Sequence, residues 1–151
     1  MKDVYWKSYM AETETMRKME LRILVIEDSE LRAGFLSSKF SGHEVEVASE
    51  PRSAVEALKQ TRYDLVFLDY DLTAAPSQML IEKGTGVYIA KRLRETINKS
   101  TPVVVHSMNI RAAEYMVGLM ENAVMIPFNR LREELERGGP TAFLERIPKE
   151  K

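Results

Sequence analysis

Along the chain, short runs of consecutive apolar residues alternate with longer stretches in which apolar positions recur every three or four residues. The runs LRILVIE (21–27), HEVEVAS (43–49), DLVFLD (64–69), PVVVHS (102–107) and NAVMIPF (122–128) are rich in Val, Ile and Leu and read as strands. Four of them are almost continuously apolar, as strands are in a sheet covered on both faces. Helical spacing joins Leu31, Phe35 and Phe40 along 29–40, Ala54, Val55 and Leu58 along 51–60, Val87, Ala90, Leu93 and Ile97 along 86–97, and Ala112, Met116 and Leu119 along 110–120. Leu131 and Leu135 mark a fifth helix after the last strand. Ser29 and Ser49 stand where N-caps belong, and Gly138-Gly139-Pro140 is a stop signal ahead of a short helix at 141–146. Five strand–helix units in succession predict a doubly wound parallel sheet with right-handed crossovers and helices on both faces, a three-layer α/β/α domain.

That domain takes up residues 21–137, leaving an extension at 1–20 and a tail at 138–151. Tyr5, Trp6, Tyr9 and Met10 give the extension two readings, a helix packed on the domain or a partner, or a frayed tail. With 44% hydrophobic residues, 30% charged residues and a net charge of -1, the chain is neither disordered nor a general nucleic-acid binder. Cysteine is absent, which excludes a disulfide framework and a thiolate metal site. No stretch approaches the ~20 apolar residues of a membrane span, and MKDVYWKSYM lacks the apolar centre of a signal peptide, so a cytoplasmic location is expected.

In a doubly wound sheet, ligands bind at the carboxyl ends of the strands, and the chemically able residues of this chain gather there. Strand one ends in Glu27-Asp28, strand three in Asp69 with Asp71 beyond, and strand four in His106-Ser107. Like charges collected at one edge repel one another unless a cation sits among them. An oxygen-only ligand set suits Mg²⁺, which accepts one or two carboxylates, retained waters and a phosphate oxygen. Each piece has a plainer reading: acidic pairs open solvated loops, and a single histidine at a strand end is often packed or hydrogen-bonded rather than catalytic. Gly84-Thr85-Gly86 lacks the Walker spacing and lysine and reads as the start of helix three. Met116, Met120 and Met125 read as core filler, and KRLRE and NRLREELER as solvated helix faces.

From about 21 to 137 the sequence resembles the receiver domain of bacterial two-component response regulators, the CheY-like, flavodoxin-like (βα)5 fold. The resemblance implies that Glu27 and Asp28 are the acidic pair that binds Mg²⁺, that Asp69 is the phosphoacceptor, and that Ser107 contacts the phosphoryl group. Two positions depart from the usual receiver. Ile126-Pro127 stands where receivers carry Lys-Pro, and Ala123 replaces the aromatic that couples phosphorylation to the signalling face. Other features are similar to a divergent branch, the cyclic-phosphate-processing receiver domains, with an acidic LDxDL stretch, a TG before helix three and an HSxN motif. Asp69, Asp71, Thr85, Gly86, His106, Ser107, Asn109 and Met116 fit that pattern.

Two functions follow from the resemblance. In one, Asp69 accepts a phosphoryl group from a sensor kinase or small phosphodonor, Mg²⁺ lies among Glu27, Asp28, Asp69 and the Asp71 carbonyl, and the added charge reshapes a surface for a downstream protein partner. Receivers also pair as homodimers through the face of helices four and five. In the other, the same metal site cleaves a cyclic phosphate, with His106 or Asp71 as general acid or base and the long loop from Asp69 to Gly84 capping the substrate. Strand alternation sets His106 and Ser107 on opposite faces. If Ser107 faces the phosphate, His106 is expected to pack away from it.

Overall fold

The computed structural model describes residues 20–72 and 86–147. All of the extension except Glu20, the loop from residue 73 to 85 with its proposed capping role and Thr85, and the end of the tail lie outside the described residues. Five strands, β1 (Arg22–Ile26), β2 (Glu44–Ala48), β3 (Leu65–Leu68), β4 (Val103–Val105) and β5 (Ala123–Met125), form one sheet in the order β2-β1-β3-β4-β5. Every pairing is parallel. Among the described residues the helices are α1 (Glu30–Lys39), α2 (Pro51–Gln60), α3 (Gly86–Leu93), α4 (Ile110–Leu119) and α5 (Phe128–Arg146). This is the flavodoxin-like, three-layer arrangement expected from the alternating pattern. No helix among the described residues is long and apolar enough to cross a membrane.

Strand alternation divides the core into two halves. Ile23, Val25, Leu65, Phe67 and Val104 face α1 and α5, where they pack with Leu36, Phe40, Leu131, Leu135 and Phe143. Leu24, Ile26, Val66, Leu68, Val103 and Val105 face the other way, against Ala54 and Leu58 of α2, Ile89 of α3 and Met116 of α4. Met116 and Met120 are buried and Met125 is partly buried against this second cluster, as core filler should be. Strand order reverses between β1 and β3, which opens the crevice at their carboxyl ends.

Several local details differ from the expected pattern. Leu31 is 88% exposed, because the face α1 buries runs through Ala33 and Leu36 to Phe40 and leaves Leu31 on the far side. Helix α2 is capped by Glu50 rather than Ser49, since Pro51 occupies its first turn, where a fixed φ and a missing N–H cost nothing. Helix α3 stops at Leu93, short of Ile97, which is half exposed. The hydroxyl of Thr96 donates to the Leu93 carbonyl and accepts from Asn98 N–H, drawing the backbone out of the helix. Fully buried Asn98 then joins the amino ends of the strands to α2: its Oδ1 accepts from Tyr63 N–H and its Nδ2 donates to the carbonyls of Leu58 and Thr61. The break expected at Gly138-Gly139-Pro140 is present as a kink inside α5, with Gly139 at φ 78°, a left-handed conformation suited to glycine.

Candidate functional site

The backbone ladder runs one step past the regular strands, and that last step carries the charged residues. Glu27 N–H donates to Ala48 O, Asp69 N–H to Ile26 O, His106 N–H to Leu68 O, and Ile126 N–H to Val105 O, at 2.9–3.1 Å. The register Ile26↔Leu68↔Val105↔Met125 therefore extends to Glu27, Asp69, His106 and Ile126 as one row across four neighbouring strands. Counting by twos from Val25, Phe67, Val104 and Val124 puts all four side chains on the α1/α5 face.

Glu27, Asp69 and His106 are buried together, each offering a ligand atom within 4.8 Å of the others. The expectation that His106 would pack away from the site is corrected here. The row is set by the neighbouring strands, and it is His106 that shares a face with Glu27 and Asp69. Ser107 takes the opposite parity, is fully buried, and its Oγ accepts from Asn109 N–H at 3.0 Å. Asn109 in turn caps α4 through Ala112 N–H. Asp28 is partly exposed at the rim and Asp71 is exposed; both stand outside the buried trio.

The two buried carboxylates have contrasting environments. Glu27 Oε1 lies 2.9 Å from His106 Nε2 and 2.9 Å from Arg32 Nε, while Oε2 accepts from Ser29 N–H at 3.0 Å and Arg32 Nη2 at 3.2 Å. Burial pushes this carboxyl up, but the bonds from His106, Arg32 and Ser29 outweigh it and bring it from 4.5 to about 2. Asp69 is nearly as buried, and its Oδ1 accepts from Tyr70 N–H at 2.9 Å. Its Oδ2 has no hydrogen-bond partner among the described residues. Burial raises the Asp69 carboxyl from 3.8 to about 6; the Glu27 charge adds to the rise, and His106 and Arg32 oppose it.

Sequence reading missed Arg32. Its guanidinium forks onto Glu27, lies 5.8 Å from the centre of the Phe128 ring, and holds Nη2 3.7 Å from Asp69 Oδ2. In the sequence it is one polar position in a helix whose apolar period drew attention elsewhere. Asking what neutralises two buried carboxylates in a chain whose β5 is followed by Ile126 was the available signal. Ser29, read as an N-cap, does cap α1, its Oγ accepting from Arg32 N–H at 3.3 Å, and so fixes the turn from which Arg32 projects.

The backbone behind Asp69 is also fixed. Gly86 N–H donates to Tyr70 O at 2.8 Å, and a Cβ at Gly86 would stand 2.2 Å from Asp69 O and 2.6 Å from Met116 Cε. Glycine is required at that position by space alone. Gly86→Ala is expected to lower stability by about 1–3 kcal/mol through overpacking, measured as a fall in urea midpoint at unchanged slope.

An orphaned, buried carboxylate oxygen on Asp69, one strand away from the part-exposed Asp28 that follows Glu27, fits a hard cation such as Mg²⁺. Glu27 fits less well as a direct ligand, because four protein donors already surround its oxygens.

Comparison with known proteins agrees with this architecture. The family model described as cyclic-phosphate processing receiver domain matches residues 22–122. Among solved structures, the receiver domain of a sensor histidine kinase from Pseudomonas aeruginosa, with a magnesium ion coordinated in its active-site cleft, is 20% identical, with a TM-score of 0.59 over 78% of this chain and 93% of that one. A CheY-like response regulator receiver domain from Methylobacillus flagellatus is 20% identical, with a TM-score of 0.57 over 78% and 97%. A response regulator from Thermotoga maritima, in complex with Mg²⁺ and BeF, is 21% identical, with a TM-score of 0.57 over 79% and 98%. At these identities the structures establish the fold. No curated protein matches the sequence.

Proposed function

The chain belongs to the cyclic-phosphate processing receiver domain family, receivers of the response-regulator type, and from that premise we propose that Asp69 is the atom-level point at which it handles phosphate. One observation carries the reading: Asp69 Oδ2 is buried at the switch point of the sheet with no hydrogen-bond partner among the described residues, while every oxygen of Glu27 is satisfied. A carboxylate left unpaired in that position is available as a nucleophile.

In the receiver reading, Asp69 Oδ2 attacks the phosphorus of a sensor kinase phosphohistidine or a small donor such as acetyl phosphate. A bond forms from Oδ2 to phosphorus, and the bond from phosphorus to the donor breaks, with acetate leaving in the second case. Asp28, Asp69 and the carbonyl of Asp71 are the groups that would hold Mg²⁺, which would supply neutralisation of phosphoryl charge. Glu27 keeps Arg32 and His106 in place, and Ser107 braces the start of α4 through its bond from Asn109 N–H. The charge gained at Asp69 then alters a surface read by a downstream partner, and the α4 and α5 face is where two copies would pair. A cytoplasmic setting follows from partners of this kind.

A second reading is favoured by the family's description. Here Asp69 attacks the phosphorus of a cyclic phosphate, the ring P–O bond breaks, and the departing oxygen takes a proton from Asp71. Water then attacks the phosphorus, the bond from phosphorus to Oδ2 breaks, and the water's proton returns to Asp71, which restores both carboxyl groups. Incubation with Mg²⁺ and either acetyl phosphate or a 2′,3′-cyclic nucleotide, followed by intact mass and product analysis, separates the two. We expect a mass gain from acetyl phosphate that disappears in Asp69→Asn. Ring-opened nucleotide without a lasting mass gain establishes the esterase instead, and neither outcome in the wild type removes Asp69 from both roles.

A further inference from the structure

Phosphate on Asp69 needs a cation, and the row position that β5 contributes is aliphatic. Ile126 lies on the same face as Glu27 and His106 and packs against the core beside it. A phosphoryl group adds about -1.5 to -2 charges beside Glu27, so some donor must answer it. We propose that Arg32 of α1 is that donor, binding the phosphoryl oxygens at Asp69 in place of a strand-five lysine. The inference rests on the reading that phosphate is handled at Asp69.

Four features of Arg32 support this assignment. Its Nε and Nη2 are fixed by Glu27, which leaves Nη1 and the second Nη2 hydrogen without a protein partner among the described residues. Nη2 stands 3.7 Å from Asp69 Oδ2, outside hydrogen-bond range for the bare carboxylate and close enough to meet an oxygen carried on it. The side chain is 39% exposed, so the guanidinium is open to a ligand from solvent while Glu27 holds its Nε and Nη2. Phe128 flanks the guanidinium, and Ser29 caps the turn that bears it. A planar fork pinned on one side by a carboxylate and an aromatic ring is prepared for bidentate phosphate recognition, which a flexible ammonium is not.

The arrangement also changes where the phosphate is felt. A lysine on β5 would link the phosphate to the edge of the sheet, whereas Arg32 links it to α1 and, through Phe128, to the first turn of α5. Beryllofluoride with Mg²⁺, which stands in for the phosphoryl group, is therefore expected to shift backbone amide signals mainly at residues 27–36 and 128–131. Shifts across 110–125 should be small, since Ala123 offers no aromatic to move.

The test measures beryllofluoride binding by NMR titration in the presence of Mg²⁺ for wild type, Asp69→Asn, Arg32→Ala, Arg32→Lys and Arg32→Ala/Ile126→Lys, with Mg²⁺ binding followed separately. Loss of one charge-assisted contact corresponds to roughly 10–100-fold weaker binding. We expect a loss of that size in Arg32→Ala, a smaller one in Arg32→Lys, no loss of Mg²⁺ affinity in either, and partial recovery when lysine is installed at 126. Arg32→Lys keeps a cation beside Glu27 and guards against a variant that fails to fold. If wild type binds and Arg32→Ala and Arg32→Lys bind equally well, Arg32 serves only to neutralise Glu27 and the proposal is overturned. If wild type itself shows no binding, phosphate handling at Asp69 fails and the role of Arg32 falls with it.

Discussion

Asp69→Asn is expected to stabilise the metal-free protein by about 1–3 kcal/mol near pH 7.5 while abolishing phosphoryl capture. The two effects share one cause. In the folded protein the Asp69 carboxyl titrates near 6 instead of 3.8, because burial disfavours its charged form and Glu27 adds repulsion. Below about pH 3 the group is protonated in folded and unfolded chains alike, and no stability is lost. As the pH rises toward 6 the unfolded chain ionises first, so folding stability falls, and above the folded value the whole difference is lost. At ~1.4 kcal/mol per pH unit that difference is about 3 kcal/mol as an upper value. Asparagine keeps the acceptor for Tyr70 N–H and removes the charge.

Glu27 works in the opposite direction. Its folded carboxyl lies near 2, below the ordinary 4.5, so its contribution is present above the unfolded value and is lost as the pH falls toward 2. Urea unfolding of wild type and Asp69→Asn at about pH 3 and about pH 7.5 should therefore show the gap at the higher pH and almost none at the lower. Added Mg²⁺ should narrow that gap by stabilising wild type alone, since the variant lacks the carboxylate oxygen. A variant that is no more stable than wild type at the higher pH would show that the unpaired oxygen costs nothing. Such a site would be relaxed rather than poised for a phosphoryl group.

The positions of the acidic residues were legible in the sequence because a polar residue ending an apolar run marks the mouth of a parallel strand. Asp69 after DLVFL and Glu27 after ILVI needed nothing more than the strand count to be brought to one edge. The relation of His106 to Ser107 was not legible in the same way. Alternation within one strand says that the two side chains point apart, but which of them faces the site depends on the register with β3, fixed by the backbone bond from His106 to Leu68. Arg32 was hidden for a related reason: the apolar period of α1 shows which side is buried, not which polar residue at its first turn reaches over the sheet. The same period misled at Leu31 and Ile97, where an apolar residue falls outside the face or the length of helix that actually packs.

Removal of His106 is expected to have its main effect on folding. The ring is completely enclosed, with Phe67 and Phe128 edge-on at 6.4 and 6.0 Å between ring centres, and Nε2 lies 2.9 Å from Glu27 Oε1. His106→Ala leaves a cavity between aromatic rings and takes one donor from a buried carboxylate, a combination worth about 3–5 kcal/mol. His106→Gln restores a donor on a chain of similar reach and should recover part of that loss. In both variants the folded molecules should take up phosphate at Asp69 within a few-fold of the wild-type rate, because Oδ2 and Arg32 remain.

A histidine serving as general acid or base gives a different result. Its loss lowers turnover by about 10²–10⁴-fold and removes one limb of the pH profile. The enclosed ring argues against that role, since a proton exchanged with substrate has to pass an atom that the substrate reaches. The ring's other nitrogen, Nδ1, is buried with no partner among the described residues. Cyclic-phosphate turnover lost in a His106→Gln protein whose melting temperature equals wild type would place that nitrogen, or Nε2 after a local opening, in the chemistry. Lowered melting with turnover retained per folded molecule would confine His106 to holding Glu27, and through Glu27 the guanidinium of Arg32.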